Sequence, residues 1–183
     1  MPYSLITAPN DILKTPCDPV LPHEDVSEIC KAMIDICRGA LRGVGLAAPQ
    51  IGVTKRIILI MPTGGGTIII NPVMTWMSPE MQTDREGCLS YPYVYTDVSR
   101  HRSVHIKGES IDRLPIKLKF RSFDARIVQH EIEHLDGRCQ IEKAWIEAGS
   151  PQRPPVSDTV AQREAAAIIG AFGASIRALP PIR

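Results

Sequence analysis

The residues best suited to chemistry are His130-Glu131-Ile132-Glu133-His134. On an α-helix, side chains four apart share one face, so both imidazoles point the same way and can share a divalent ion. Such an ion brings the pKa of a bound water towards neutrality. Glu131, next to the first histidine, is placed to take that water's proton. Ala125, Ile127, Val128 and Leu135 mark the segment as largely buried. Two histidines and two glutamates in such a place carry a large desolvation cost unless something pairs with them, and a metal does. The competing reading is a chance match on an exposed charged helix.

A catalytic site of this type wants three protein ligands and one open position. The residues leave the third ligand open. Gly137 lies three positions after His134, but Gln140 stands where a third histidine would follow it. Glu142 is very close in sequence, and Glu147 sits beside Gly149-Ser150-Pro151. Cys139 is near the histidines but comes after Gly137, which is expected to end the helix. Cys88, in Arg85-Glu86-Gly87-Cys88-Leu89-Ser90-Tyr91-Pro92, offers a thiolate suited to zinc or ferrous iron, or is simply a buried thiol.

These groups need elements to position them. Val26, Ile29, Cys30, Met33 and Cys37 recur at spacings of three and four and predict a helix over 27–38, with Gly39 as its stop. Residues 8–19 hold Pro9, Pro16 and Pro19 and read as an extended arm. A Gly-rich turn is expected at 43–45. Strands are expected at 55–61, 67–70, 94–98, 103–107 and 115–120, with a hairpin turn at 64–66. A second helix, capped by Ser122 or Asp124, should run to about residue 135, where Gly137 supplies a left-handed stop. After a Pro-rich segment, Ala161, Ala165, Ile168, Phe172, Ile176 and Leu179 form a helical stripe, with Ser157 or Asp158 as its cap and Pro180 and Pro181 at its end. The order helix, strands, helix, tail fits α+β. The expected division is a catalytic domain over 1–149 and a linker with helical tail over 150–183.

The 183 residues suit one core, and 44% hydrophobic with 22% charged residues is an ordinary globular composition. A net charge of +1 argues against broad binding to nucleic acid or anionic membrane. No apolar run is long enough to span a bilayer. The first residues lack the basic start and apolar stretch of an export signal. The five cysteines do not form a disulfide framework, so a reducing, cytoplasmic setting is expected, with Cys30 and Cys37 as plain core residues.

Three segments together resemble the peptide deformylase family: Gly43-Val44-Gly45-Leu46-Ala47-Ala48-Pro49-Gln50, then Glu86-Gly87-Cys88-Leu89-Ser90, then Gln129-His130-Glu131-Ile132-Glu133-His134-Leu135. Each is modest alone; the set, in this order and spacing, is specific. The resemblance covers about residues 5–140. It implies a fold of short antiparallel sheets around a central helix that carries the two histidines. It implies Cys88, His130 and His134 as ligands of one divalent metal, commonly ferrous iron, with zinc, nickel or cobalt able to substitute. Glu131 would be general base and then general acid, in a reaction that removes formyl from N-formylmethionyl peptides and releases formate. Gln50 and the backbone N–H of Leu89 would face the oxyanion. Gly43, Val44 and Gly45 would align an extended peptide, with Glu86, Gly87, Arg126 and Ile127 as further substrate-binding residues. The formylated peptide is the expected partner, with the ribosome as the place where nascent chains are met.

Two positions depart from the family's habit. Glu133 stands where aspartate is usual. Arg126 stands where an aliphatic residue usually helps hold the methionine side chain; it either snorkels outward or polarises the pocket mouth, paired with Glu86. A different metallohydrolase with a changed pocket, or a non-enzymatic peptide binder, are the alternatives to a deformylase.

Overall fold

The computed structural model describes residues 3–40, 43–61 and 65–140. The helical tail expected beyond residue 150, and the boundary drawn there, lie outside them. The described elements are α1 (Ser27–Gly39), β1 (Gly45–Ala47), β2 (Ile57–Ile60), β3 (Thr67–Met77), β4 (Met81–Cys88), β5 (Tyr91–His101), β6 (Ser103–Glu109), β7 (Pro115–Arg121) and α2 (Ser122–Leu135). Five strands make an antiparallel sheet in the order β1-β2-β3-β6-β7, while β4 and β5 pair only with each other. This is the α+β arrangement expected from the order of elements. No helix among the described residues is long and apolar enough to cross a membrane.

The unbroken apolar run of β2 has a simple cause. Alternate residues of a strand face opposite sides, and here both sides are covered. Ile57 and Leu59 pack with Cys30, Met33 and Cys37 of α1, together with Ile68 and Ile70 of β3. Ile58 and Ile60 pack with Ala125, Val128, Ile132 and Leu135 of α2, together with Ile69 of β3. Cys30 and Cys37 are core residues, as their place on the helical stripe suggests, and burial pushes both thiols up to about 11.

α2 is buried on two faces of different character. Its apolar face lies on the large sheet. The opposite face carries Arg126, Gln129, His130 and Glu133, and it meets the β4–β5 pair. Gln129 stitches the two together, donating to the carbonyl of His101 at 2.8 Å and accepting from its N–H at 3.1 Å.

Several sequence expectations need correction in detail. Gly39 is the last residue of α1 rather than a stop beyond it, and Ala40 closes the turn onto the Ile36 carbonyl. α2 has Arg121 as its N-cap with no side-chain bond, so neither Ser122 nor Asp124 caps it. β3 continues past residue 70, through Asn71 at φ 50° and Pro72, because the register with β6 shifts there and leaves the proline without a ladder bond to supply. β1 forms where only a turn was expected at 43–45. β4 was not anticipated, since five of its eight residues in a row are exposed and show no alternation.

Gly137 does end α2 in the left-handed region, at φ 71°. A Cβ there would also collide with the backbone carbonyl of Lys14, in the N-terminal arm. Both effects oppose any side chain. Gly137→Ala is therefore expected to lower unfolding free energy by at least about 1 kcal/mol, read from the denaturant midpoint, with the helix shortened at its C-terminal end.

Candidate active site

The site forms where α2 passes beneath the turn that joins β4 to β5. β4 ends at Cys88, and the register between the two strands shifts between Gly87 and Cys88. This irregularity turns the thiol towards the helix. The Cys88 sulfur lies 3.2 Å from Nε2 of His134. One ligand atom from each of Cys88, His130 and His134 falls within 4.8 Å of the other two, and this is the one such cluster found among the described residues. Among the described residues, Cys88 is the candidate third ligand that stands with the two histidines. Cys139 is buried instead in a separate cluster with Leu13, Tyr91 and Val94. Glu142 and Glu147 lie outside the described residues.

The donor set suits a divalent cation. Thiolate with two imidazoles is a set that zinc or ferrous iron accepts. Nδ1 of His130 lies 2.9 Å from a Glu86 oxygen, which fixes the ring and leaves its other nitrogen for the cluster. Burial alone would lower the pKa of His130, but Cys88 and Glu86 beside it push the imidazole well above its usual range. The pocket therefore calls for positive charge at that place. Glu131 is 4% exposed, and its Oε2 has no hydrogen-bond partner within the protein. Burial pushes its carboxyl up to about 7.

Glu86 is the hub of the surrounding shell. Arg100 donates to both its oxygens, at 2.7 and 2.8 Å, and Arg126 donates to one of them at 2.6 Å. Burial raises its pKa, but Arg100 and His130 outweigh that and hold the carboxyl well below the usual range. Arg100 also reaches Glu133 at 2.6 Å. The longer carboxylate at 133 thus serves the same network through Arg100.

Arg126 is buried, so it does not snorkel outward. Its guanidinium is turned beneath the β4–β5 pair, donating to the carbonyls of Gln82 at 2.5 Å and Val98 at 2.9 Å as well as to Glu86. The pairing with Glu86 is the one suggested from sequence. The head group is nevertheless committed to the two strands.

A cleft of about 580 Å³ runs past these residues. Its lining includes Val44, Gly45, Gln50, Cys88, Leu89 and Glu131, along with Glu86, Gly87, Arg126 and Ile127. Gly43 is not part of the lining; its N–H closes a turn on the Ala40 carbonyl at 3.2 Å. Gln50 is 2% exposed and held at both ends of its amide. Its oxygen accepts from Ala47 N–H at 2.7 Å, and its nitrogen donates to Ser90 at 3.1 Å and to the Cys88 sulfur at 3.4 Å. Gly45 has a particular reason to lack a side chain: a Cβ would come 2.5 Å from Oε1 of Glu131 and 2.7 Å from Ile127. The protein's own carboxylate, rather than a ligand, takes that space.

Sequence reasoning missed Arg100, Ser90 and the aromatic residues Tyr93, Tyr95 and Phe123 that line the cleft. A signal for Arg100 was present. It shares a strand face with Val94, Thr96 and Val98, and a cation at a core-facing strand position must find a partner.

A family model described as polypeptide deformylase matches residues 2–147. The chain belongs to the polypeptide deformylase family. It is therefore an enzyme that hydrolyses the N-formyl group of formylmethionyl peptides, in a family that depends on a metal. It is 48% identical over 103 residues to a peptide deformylase of Pelotomaculum thermopropionicum, across 56% of this chain and 66% of that relative. It is 40% identical over 137 residues to peptide deformylase 1 of Bacillus subtilis, across 73% and 84%. Among solved structures, a class I type b peptide deformylase from Acinetobacter baumannii matches with TM-score 0.72 and 34% identity, over 75% of this chain and 96% of the other. One from Synechococcus elongatus, solved with actinonin, matches with TM-score 0.77 and 27% identity, over 99% and 91%.

The buried network yields a stability test. Glu86→Gln leaves Arg100 and Arg126 facing a neutral amide, and breaking a buried ion cluster costs about 3–5 kcal/mol. Arg126→Met removes one of the stranded cations. In urea unfolding, the double variant should lose less stability than the sum of the two single losses.

Proposed function

We propose that Cys88, His130 and His134 hold one divalent metal, ferrous iron in the cell, and that Glu131 moves the proton during removal of formyl from N-formylmethionyl peptides. The observation that carries this reading is the convergence of one sulfur and two imidazole nitrogens within 4.8 Å of one another, beside the buried Glu131 carboxylate, whose Oε2 has no hydrogen-bond partner within the protein. When bound, the ion supplies Lewis acidity, bringing the pKa of water towards neutrality and polarising the formyl carbonyl. Zinc, nickel or cobalt fit the same donors.

Glu131 accepts a proton from the attacking water as the new C–O bond forms. It then delivers that proton to the departing nitrogen as the C–N bond breaks, leaving formate and a free amine. Its carboxyl, pushed up to about 7 by burial, suits both halves of that exchange. The Gln50 amide lines the cleft with its oxygen anchored on Ala47 and its nitrogen on Ser90, and the N–H that donates to the Cys88 sulfur is the one that would turn to the formyl oxygen as charge develops there. The backbone N–H of Leu89 is the second donor. β1 is an outer strand paired on one side by β2, so an extended peptide can lie along Val44 and Gly45. Nascent chains at the ribosome, in the cytoplasm, are the natural source of this substrate.

Formate release from a formyl-Met peptide, with an acetylated peptide as control, tests the reaction. Protein purified without oxygen should contain one metal per chain. Glu131→Ala is expected to retain the metal and lose about 10²–10⁴-fold in kcat. Gln50→Ala is expected to lose about 10²–10³-fold in kcat. Cys88→Ala should lose the metal itself on elemental analysis. Metal retained at full occupancy in Cys88→Ala would end the ligand assignment.

A further inference from the structure

We propose that the outer face of β3, β6 and β7 binds single-stranded RNA, with Trp76 stacking on a base and Lys107, Lys117, Lys119 and Arg121 taking the phosphates. The five-stranded sheet has two faces. α2 covers one of them, over Val104 and Ile106 of β6 and Leu118 of β7. α1 covers the other only over β1, β2 and the first part of β3, and its cluster contains no residue of β6 or β7. Strand pairing arranges the bare remainder in rows. Val73 stands opposite Lys107, and Lys107 opposite Lys117. Trp76 stands opposite His105, and His105 opposite Lys119. Ser103 stands opposite Arg121. Directly opposed residues share a face, and successive positions on that face lie about 7 Å apart along a strand.

The charge on this face is uncompensated. Lys107, Lys117, Lys119 and Arg121 are exposed. None of the four forms an ion pair among the described residues. Glu109, at the end of β6 on the same face, is already engaged by Arg113 at 2.7 Å and Asn71 at 3.1 Å. Lys107 and Lys117 oppose each other directly, an arrangement that costs stability. The whole chain carries only +1, so these cations are a local concentration and not a general basicity. Lysines can serve merely to keep an edge strand from pairing, and β7 is an edge. That does not account for Lys107, whose strand lies between β3 and β7.

An aromatic residue stands among the cations. Trp76 is 45% exposed, and its ring centre lies 4.5 Å from that of His105, tilted by 35°. The imidazole supports the indole and leaves nearly half of the tryptophan open to solvent. Cations at regular intervals beside an aromatic platform suit a single-stranded nucleic acid, whose bases are free to stack and whose phosphates recur along its backbone. A duplex keeps its bases stacked on one another. Ser103 and His105, set among the cations, carry groups that accept as well as donate a hydrogen bond, which suits a ribose 2′-hydroxyl. Residues 141–183 of the chain are a poor occupant. They hold five basic and four acidic residues, so they bring no net counter-charge.

The test is binding of a fluorescent single-stranded RNA of about 12 nucleotides to the full-length metal-loaded enzyme, followed by anisotropy as salt is raised. Affinity should fall with salt at a log–log slope of about −3, as four phosphate contacts on a single strand give. Trp76→Ala should weaken binding by about 10-fold and leave that slope unchanged. Lys117→Glu should weaken binding and flatten the slope. Its melting temperature should stay at or above the wild-type value, because the opposed pair with Lys107 then carries opposite charges. Neither substitution should change formate release from a formyl-Met peptide, since both positions lie outside the cleft. RNA that fails to bind at low salt would overturn the proposal. So would full affinity in Trp76→Ala, which would reduce the face to general attraction of anions. A DNA strand of the same sequence bound as tightly would remove the assignment to RNA, and tighter binding to phosphatidylserine vesicles than to RNA would assign the face to a membrane instead. A lower melting temperature for Lys117→Glu would also count against it, by showing that the cation serves the fold.

Discussion

The arrangement depends on one buried carboxylate. Glu86 lies between a two-stranded sheet and a helix that share no apolar cluster among the described residues, and it accepts from Arg100, Arg126 and His130 at once. A buried charge is tolerated only when its lone pairs are filled, and here they are filled by groups from both elements. The same contacts that make Glu86 affordable therefore dock β4 and β5 on α2. Docking brings Cys88, two residues beyond Glu86, to the histidines. The three candidate ligands converge because the carboxylate does.

This explains why the helix has two buried faces. The apolar face of α2 fixes its position on the large sheet through Ile58, Ile60 and Ile69. That contact is non-directional and would tolerate small shifts. The polar face supplies direction: Arg126 bonds to carbonyls on both β4 and β5, and Gln129 pairs twice with His101. Catalysis needs its groups held to fractions of an ångström, and directional bonds do that better than packing. Gly45 completes the enclosure by letting β1 close over Glu131 with no side chain between them.

Legibility from sequence followed the range of the interactions. The pairing of His130 with His134 is set by helical periodicity, so it could be read from five residues. β2 and the stripe of α1 were legible for the same local reason. Cys88 was not, because its partnership spans more than forty positions and depends on how a separate sheet docks; only the resemblance of whole segments pointed to it. β4 escaped notice because it is held by ladder bonds and by Glu86 at its inner end, not by an alternating apolar face. The extension of β3 past Asn71-Pro72 was hidden by a bulge that reverses the usual meaning of proline. The fate of Arg126 was half legible: its partner Glu86 could be guessed from charge, but the strand carbonyls that capture its head group could not.

Charge balance gives the shell a further meaning. The buried network holds two carboxylates, Glu86 and Glu133, and two guanidinium groups, Arg100 and Arg126, so it is neutral within itself. An aspartate at 133 would carry the same charge, which is why the longer side chain is accommodated so long as Arg100 can reach it. What remains for a divalent ion is the Cys88 thiolate and Glu131. Burial pushes the carboxyl of Glu131 up to about 7. Had Arg126 been aliphatic, Glu86 would have kept Arg100 and lost one counter-charge, leaving the shell itself negative. The arginine at 126 therefore keeps the shell from adding negative charge beside the candidate ligands.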